Sequence, residues 1–355
     1  MAIMRKRRMQ YSQDLNFPVK FSIFARRTFS AYYKVSEAYN FIRMPKKAFK
    51  RGEFEKMTEK RISVIGGDMR QAALTRELAS RGFDVRFYGI DIYKVDFGDA
   101  KKCASAEEAL TGADIVILPL PADAGGIYIN APFTNEEITI DEIAEGMPRG
   151  ALLLGGMISP EFLLRIEERG IRCIDYYERE ELTVMNAIPT AEGAIAIAME
   201  ELPITLHNMK AAVLGFGRVA NILAHKAAAL GVDVTVFARK SHARAWARAY
   251  GYEAMDFDAL AEQVAGYDCI FNTVPKMVID RGVLDGMRRD TLIIDLASKP
   301  GGVDYGYANT LGIKAILALS LPGRVAPDTA GGYIADTVIN IIYENQNEMK
   351  YGGKT

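Results

Sequence analysis

The chain of 355 residues is 49% hydrophobic and 25% charged, enough to build two packed domains with ordinary water-facing surfaces. No run approaches 18 uninterrupted apolar residues, and neither the three cysteines (Cys103, Cys173, Cys269) nor the three histidines (His207, His225, His242) have C-x-x-C or metal-ligand spacing, which argues against a membrane span, a disulfide framework and a metal centre. The formal net charge of −1 conceals an asymmetry: residues 1–60 carry 15 Lys+Arg against 5 Asp+Glu, and the remainder carries 29 against 40.

The basic segment interleaves aromatics with cations (Phe21, Phe24, Arg26, Arg27, Phe29, Tyr32, Tyr33) and has no sustained period. Such an arm suits nucleic acid or an anionic membrane. The preferred reading is a disordered leader over residues 1–58, because Met57 heads a stretch that runs directly into the first strand. From Lys60 onward, strand-like runs alternate with helical stretches. Strands are expected near Ile62–Ile65, Val85–Tyr88, Ile115–Leu118, Ala151–Leu154 and Ile171–Ile174, then near Ala211–Leu214, Val234–Phe237, Cys269–Phe271, Leu292–Asp295 and Lys314–Leu317. The fold class is therefore α/β, with two Rossmann-like doubly wound parallel-sheet domains and a cleft between them. The segment Asn186–Gly193 reads as a connection followed by an apolar helix, and a last helix from Pro327 to about Glu344 is expected to cross back onto the first domain. The expected domains are 59–204 plus 328–349 for substrate and 205–327 for a dinucleotide.

In the first half, β-strand residues lead into Gly66-Gly67-Asp68, with Arg70 and Gln71 in the following helix. Asp68 and Gln71 read as a capping pair, and Arg70 with the helix N-terminus as a carboxylate receptor. The halves echo one another: each opens on a glycine turn and later has a strand ending in a proline loop, at Pro119 and Pro121 and again at Pro275.

The second half opens on Gly215-Phe216-Gly217-Arg218-Val219-Ala220, between a short apolar strand and a helix. Gly215 permits the tight turn, Gly217 lets a pyrophosphate approach, and Ala220 lets the helix pack close to the sheet. The next strand ends in Arg239-Lys240-Ser241, where an NAD site usually supplies an acid to the ribose. Two cations and a hydroxyl suit a 2′-phosphate instead, so the expected cofactor is NADP(H). The competing reading makes them solvated loop charges with Ser241 as a helix cap.

Asn272, Thr273 and Pro275 follow the fourth strand of that domain, beside the expected nicotinamide ribose, and Ala297 opens the next loop. Ser298 and Lys299 on that loop place a hydroxyl and an ammonium where the ring and an anionic substrate meet. No histidine follows His242, which disfavours 2-hydroxy-acid chemistry with a histidine base. Neither a Gly-x-Ser-x-Gly elbow nor a phosphate loop with Gly-Lys-Ser/Thr occurs.

Taken in order, Gly66-Gly67-Asp68-x-Arg70-Gln71, Ile188-Pro189-Thr190-x-Glu192-Gly193, Leu214-Gly215-x-Gly217-Arg218, Asn272-Thr273-x-Pro275, Asp295-Leu296-Ala297-Ser298-x-Pro300-Gly301-Gly302 and Leu321-Pro322-Gly323-x-Val325-Ala326-Pro327-x-Thr329-Ala330-Gly331 resemble the dipicolinate synthase A-subunit family over about residues 60–345. The architecture resembles the formate/glycerate dehydrogenase type. The resemblance implies a cytoplasmic oxidoreductase of sporulation, on a branch from the lysine pathway, that oxidises dihydrodipicolinate to dipicolinate and passes hydride to NADP. It implies a flavoprotein-like partner, the dipicolinate synthase B-subunit; a homo-oligomer stays open. Two substrate carboxylates need cationic or N–H partners, for which Arg70, Lys299, the Gly66-Gly67 turn and Thr190 are the candidates. Asp68 or Glu192 would accept the proton, with Ser298 as a further catalytic candidate, although Glu192 also suits a helix N-terminus. The rival readings are another NADP-linked oxidoreductase of small amino or keto acids, and a non-catalytic NADP-binding scaffold for the B-subunit.

Overall fold

Short, continuously apolar runs bounded by glycine are the mark of strands covered on both faces, and here they form two parallel sheets. A computed structural model describes residues 51–92 and 95–351. The readings placed on residues 1–50 lie outside the described residues. The last residues of the expected leader are ordered as helix α1 (Arg51–Thr58), with Met57 buried, so the folded chain begins before residue 59.

The first sheet takes β1 (Arg61–Ile65), β2 (Asp84–Tyr88), β3 (Lys101–Lys102), β4 (Ile115–Ile117), β7 (Leu152–Gly155) and β8 (Arg172–Asp175) in the order β3-β2-β1-β4-β7-β8. Its connections carry α2 (Met69–Ser80), α3 (Ala106–Leu110), the hairpin β5 (Asp123–Ala124) and β6 (Tyr128–Ile129), α4 (Ile140–Gly146) and α5 (Pro160–Glu167). Helix α6 (Glu180–Glu201) then leads to the second sheet. That sheet takes β9 (Lys210–Leu214), β10 (Asp233–Phe237), β11 (Glu253–Met255), β12 (Cys269–Asn272), β13 (Leu292–Asp295) and β14 (Ala315–Leu317) in the order β11-β10-β9-β12-β13-β14. Between them run α7 (Arg218–Ala229), α8 (Ser241–Ala249), α9 (Leu260–Gln263), α10 (Arg281–Asp285) and α11 (Tyr305–Thr310). Every pair in both sheets is parallel, as in Ile62↔Ile115 and Phe271↔Val213. The two sheets have the same order, and in each it reverses at the first strand, which places both glycine turns at a switch point.

Two helices follow β14: α12 (Leu321–Val325) and α13 (Pro327–Tyr351). Helix α13 packs on α2 of the first sheet and is pinned there by Arg76–Asp328 at 3.1 Å, Arg81–Asp336 at 2.6 Å and Arg179–Glu344 at 2.7 Å. Burial lowers the pKa of the Arg81 guanidinium, but the charge of Asp336 and its bonds to Asp336 and Glu77 more than offset this and leave it raised.

The expected connection at Asn186–Gly193 is instead the interior of α6, which runs unbroken past Pro189. Local punctuation loses to tertiary packing here: Gly193 lies flat against α12, and a Cβ on it would stand 3.2 Å from both Leu321 and Val325. Among the described residues α6 is long and apolar enough to cross a membrane, and it packs against α7, α12 and α13.

All three cysteines are free thiols; Cys103 and Cys269 are buried and Cys173 is half-buried in β8. Burial, aided by Asp175 and Glu167, pushes the Cys173 thiol up to about 12, so its thiolate is a trace species near neutral pH. Native protein is expected to resist alkylation by iodoacetamide, with all three thiols labelling only after denaturation. Rapid native labelling of Cys173, read by mass spectrometry, would contradict this packing.

Candidate active site

The second lobe presents an anion site built from backbone. Gly215 holds φ +95 and donates its N–H to Phe237 O at 2.8 Å. A Cβ there would lie 2.5 Å from Thr273 Oγ1, which itself donates to Leu214 O at 2.8 Å. Gly215 thus lets the ends of β9, β10 and β12 meet, and Thr273 braces that turn. Gly217 opens α7 with no side-chain cap and with open space where its Cβ would point, while Ala220 is fully buried against the sheet. The first-turn N–H groups of α7 keep no capping side chain and offer a phosphate both donors and the positive helix end. Val219 is half-buried in this turn. Arg218 is exposed and pairs with Glu180 of α6 at 2.8 Å, so that cation is already partnered.

Arg239, Lys240 and Ser241 follow β10 on the same sheet edge, and all three are exposed. Lys240 occupies the N-cap position of α8 and Ser241 is the first helical residue, which removes the capping role considered for Ser241. The turn is held from beneath by a residue that sequence reasoning missed. Arg244 Nη1 donates to Ala238 O at 2.7 Å and to Arg239 O at 2.8 Å, and pairs with Asp256.

A buried carboxylate organises the neighbouring loops. Asp295 Oδ1 accepts from Asn272 Nδ2 at 2.8 Å and Ala297 N at 3.1 Å; Oδ2 accepts from Gly302 N at 2.9 Å and the Tyr305 hydroxyl at 2.7 Å. Asn272, expected beside the nicotinamide ribose, is fully buried, its amide also bonded to both backbone groups of Val274. Ala297 is buried with its N–H consumed. Both therefore shape the site from within rather than reach into it. Pro275, Ser298 and Lys299 are exposed on the loops so fixed.

In the first lobe the Gly66-Gly67 turn cannot bind a carboxylate through its own N–H groups. Gly66 N donates to Tyr88 O at 2.8 Å and Gly67 N to Asn130 O at 2.9 Å. The glycines serve the turn, at φ +67 and +105, and a Cβ on Gly67 would collide with Gln71. Asp68 caps α2 by accepting from Arg70 N at 2.9 Å. Gln71 does not reach back to complete a capping box; its amide donates to Leu118 O at 3.0 Å at the end of β4. Arg70 holds Asp68 through Nε at 3.0 and 3.1 Å and through Nη2 at 2.7 Å, and Nη2 also donates to Leu120 O. Helices α12 and α13 close over this arginine by means of two glycines. A Cβ on Gly323 would stand 3.0 Å from Arg70 Nε, and one on Gly331 would stand 2.3 Å from Arg70 O. Since α12 follows β14, these contacts lay a segment that leaves the second sheet over Arg70 of the first lobe.

Two other candidates fall away. The Thr190 hydroxyl donates to Asn186 O at 2.7 Å within α6, which uses its one donor. Glu192 lies mid-helix, exposed, and pairs with Lys226 at 2.9 Å. Lys226 is eight residues into α7, about 12 Å along the axis from the phosphate-binding turn, so Glu192 is remote from hydride chemistry.

Residues 61–177 match the family of the N-terminal domain of the dipicolinate synthase A-subunit, and residues 190–299 match the D-isomer specific 2-hydroxyacid dehydrogenase NAD binding domain. The dipicolinate synthase A-subunit of Bacillus subtilis (strain 168) is 37% identical over 294 residues, 82% of this chain and 99% of that protein. The chain belongs to the dipicolinate synthase A-subunit family. Crystal structures of the family agree: the Bacillus halodurans protein superposes with TM-score 0.74 at 33% identity over 81% of this chain and 98% of that one. The Bacillus subtilis protein gives 0.73 at 37% over 81% and 97%. The glycine turn at Gly215 and the Asn272 and Asp295 loops lie within the dehydrogenase-type nicotinamide dinucleotide domain, while Gly66, Asp68 and Arg70 lie within the family's own N-terminal domain.

Proposed function

We propose that this chain is an NADP-dependent oxidoreductase that aromatises dihydrodipicolinate to dipicolinate in the cytoplasm during sporulation, working with a flavoprotein-like B-subunit. The observations that carry the reading are a buried arginine covered by α12 at the edge of one sheet and an uncapped glycine turn followed by Arg239 and Lys240 at the edge of the other. The reaction asks little acid–base machinery of the protein, because forming the aromatic ring supplies driving force. Bound nicotinamide supplies the hydride acceptor. The remaining tasks belong to the chain: hold the dianion, align its ring and receive one proton. Arg70 holds one carboxylate, and Lys299 with Ser298 takes the other from the Asp295-anchored loop. The phosphates lie on the α7 turn through Gly217 and Val219, and Arg239, Lys240 and Ser241 take the 2′-phosphate. Asp68 accepts the proton at its carboxylate. The domain division follows the sheets, with residues 59–204 and 328–349 holding substrate and 205–327 holding NADP.

Full-length protein, alone and with the B-subunit, is expected to form NADPH from freshly generated dihydrodipicolinate and not from alanine or 2-hydroxy acids. Turnover of alanine or a hydroxy acid in its place would defeat the reading. Tight NADPH uptake without hydride transfer in either setting would leave a scaffold.

A further inference from the structure

The Asp68–Arg70 pair poses a problem for a site that must hold a dianion. Arg70 is a buried cation beneath α12 and α13, yet its fork is filled by a carboxylate from two residues away, held through Nε and Nη2. A paired guanidinium offers an incoming carboxylate no net charge, and two carboxylates on one fork repel. The geometry favours removal of Asp68 rather than of Arg70. The Arg70 side chain is 11% exposed and that of Asp68 is 31%, so the acid lies on the solvent side of the pair. Arg70 keeps an anchor independent of Asp68 in the Leu120 carbonyl, and Gly323 of α12 packs against its guanidinium. Asp68 has no comparable tether among the described residues: apart from Arg70's side chain, its carboxylate is held there by the single cap bond to Arg70 N.

We propose that Asp68 is an exchangeable counter-ion, which occupies Arg70 until a substrate carboxylate displaces it and is thereby freed to act as the proton acceptor. This rests on the dihydrodipicolinate reading and adds how the site is armed. Binding and activation are then one event. When the substrate carboxylate takes the fork, Asp68 turns away as an unpaired carboxylate beside the ring. One ring C–H gives its hydrogen and electron pair as hydride to NADP, a neighbouring ring C–H gives its proton to Asp68, and the electron pair left behind closes the last ring double bond. Without substrate the acid stays paired.

The test is calorimetric titration of dipicolinate into NADP-saturated full-length protein, for wild type, Asp68→Asn and Asp68→Ser. Both replacements keep a helix-capping side chain, and coenzyme affinity of the other lobe checks folding. Removing the competing carboxylate is expected to tighten dipicolinate at least tenfold in both variants, while single-turnover NADPH formation from dihydrodipicolinate falls a hundredfold or more. A residue that only caps α2 would loosen binding and rate together. Equal or weaker dipicolinate binding in both variants overturns the exchange. Wild-type protein that takes up NADP but no dipicolinate would instead overturn the functional reading beneath it.

Discussion

Asp295→Ala is expected to cost about 4 kcal/mol of stability, the loss of a buried charged acceptor that leaves several donors without partners. The carboxylate is 0% exposed and takes hydrogen bonds from Asn272, Ala297, Gly302 and Tyr305. The Tyr305 hydroxyl is held well above its ordinary pKa by burial and then by this carboxylate, so it stays a donor throughout the working pH range. Three variants order the effect. Tyr305→Phe deletes one bond and is expected to cost about 1 kcal/mol. Asp295→Asn keeps the shape but turns an amide N–H₂ toward a donor, and falls between the two. Because residues 297–302 carry Ser298 and Lys299, Asp295→Ala is also expected to abolish turnover at temperatures where the protein remains folded. Urea unfolding followed by far-ultraviolet circular dichroism measures the series. A loss under about 1 kcal/mol for Asp295→Ala would mean that the network does not anchor the loop.

The sheets were legible in the sequence because a strand covered on both faces has to be apolar throughout. Ala211–Leu214 meets that demand, Ile62–Ile65 and Leu292–Asp295 depart from it at one residue each (Ser63 and Asp295), and each lies within one or two residues of the observed strand. The strands that escaped notice lie at edges or outside the main sheets. Lys101–Lys102 is polar and exposed, Glu253–Met255 has three residues, and the β5–β6 hairpin has two on each side; none has an apolar pattern to find. The site was legible where backbone chemistry decides it, as at Gly215, whose turn out of β9 is set by its own conformation at φ +95. It was not legible where a partner comes from far along the chain. Nothing near Gly67 shows that Asn130 O consumes its N–H, and nothing near Asn272 shows that Asp295 claims its amide. Pro189 misled for the same reason: the contacts that keep α6 helical come from α12, more than a hundred residues later. The motif from Leu321 to Gly331 was visible but mute, since the role of Gly323 and Gly331 appears only once Arg70 lies against them.

Neutralising Arg239 and Lys240 together, as Arg239→Gln with Lys240→Gln, is expected to weaken NADPH about a hundredfold and NADH less than about threefold. The asymmetry follows from what the turn can touch. A 2′-phosphate is a dianion near neutral pH, and an arginine fork beside an ammonium gives it two charge-assisted partners. The ribose of NADH presents a hydroxyl there, which gains little from either cation. The change should not disturb the scaffold, because both side chains are exposed and the turn is held by Arg244 through the Ala238 and Arg239 carbonyls. Arg244→Ala is therefore the useful control: it leaves both cations in place but loosens the turn that displays them, so it should weaken NADPH while broadening the melting transition. Trp246, the chain's only tryptophan, provides the signal. It is 59% exposed and stacks on Tyr250 at 5.8 Å, and Tyr250 lies 6.3 Å from Phe216 between the two glycines of the phosphate turn. Energy transfer from Trp246 to bound NADPH reports binding directly. Raising the salt should erode the wild-type preference for NADPH and leave the doubly neutral protein almost unchanged, since exposed charges are screened. Equal losses for the two coenzymes, or a preference indifferent to salt, would place the 2′-phosphate elsewhere and leave Arg239 and Lys240 as solvated turn residues.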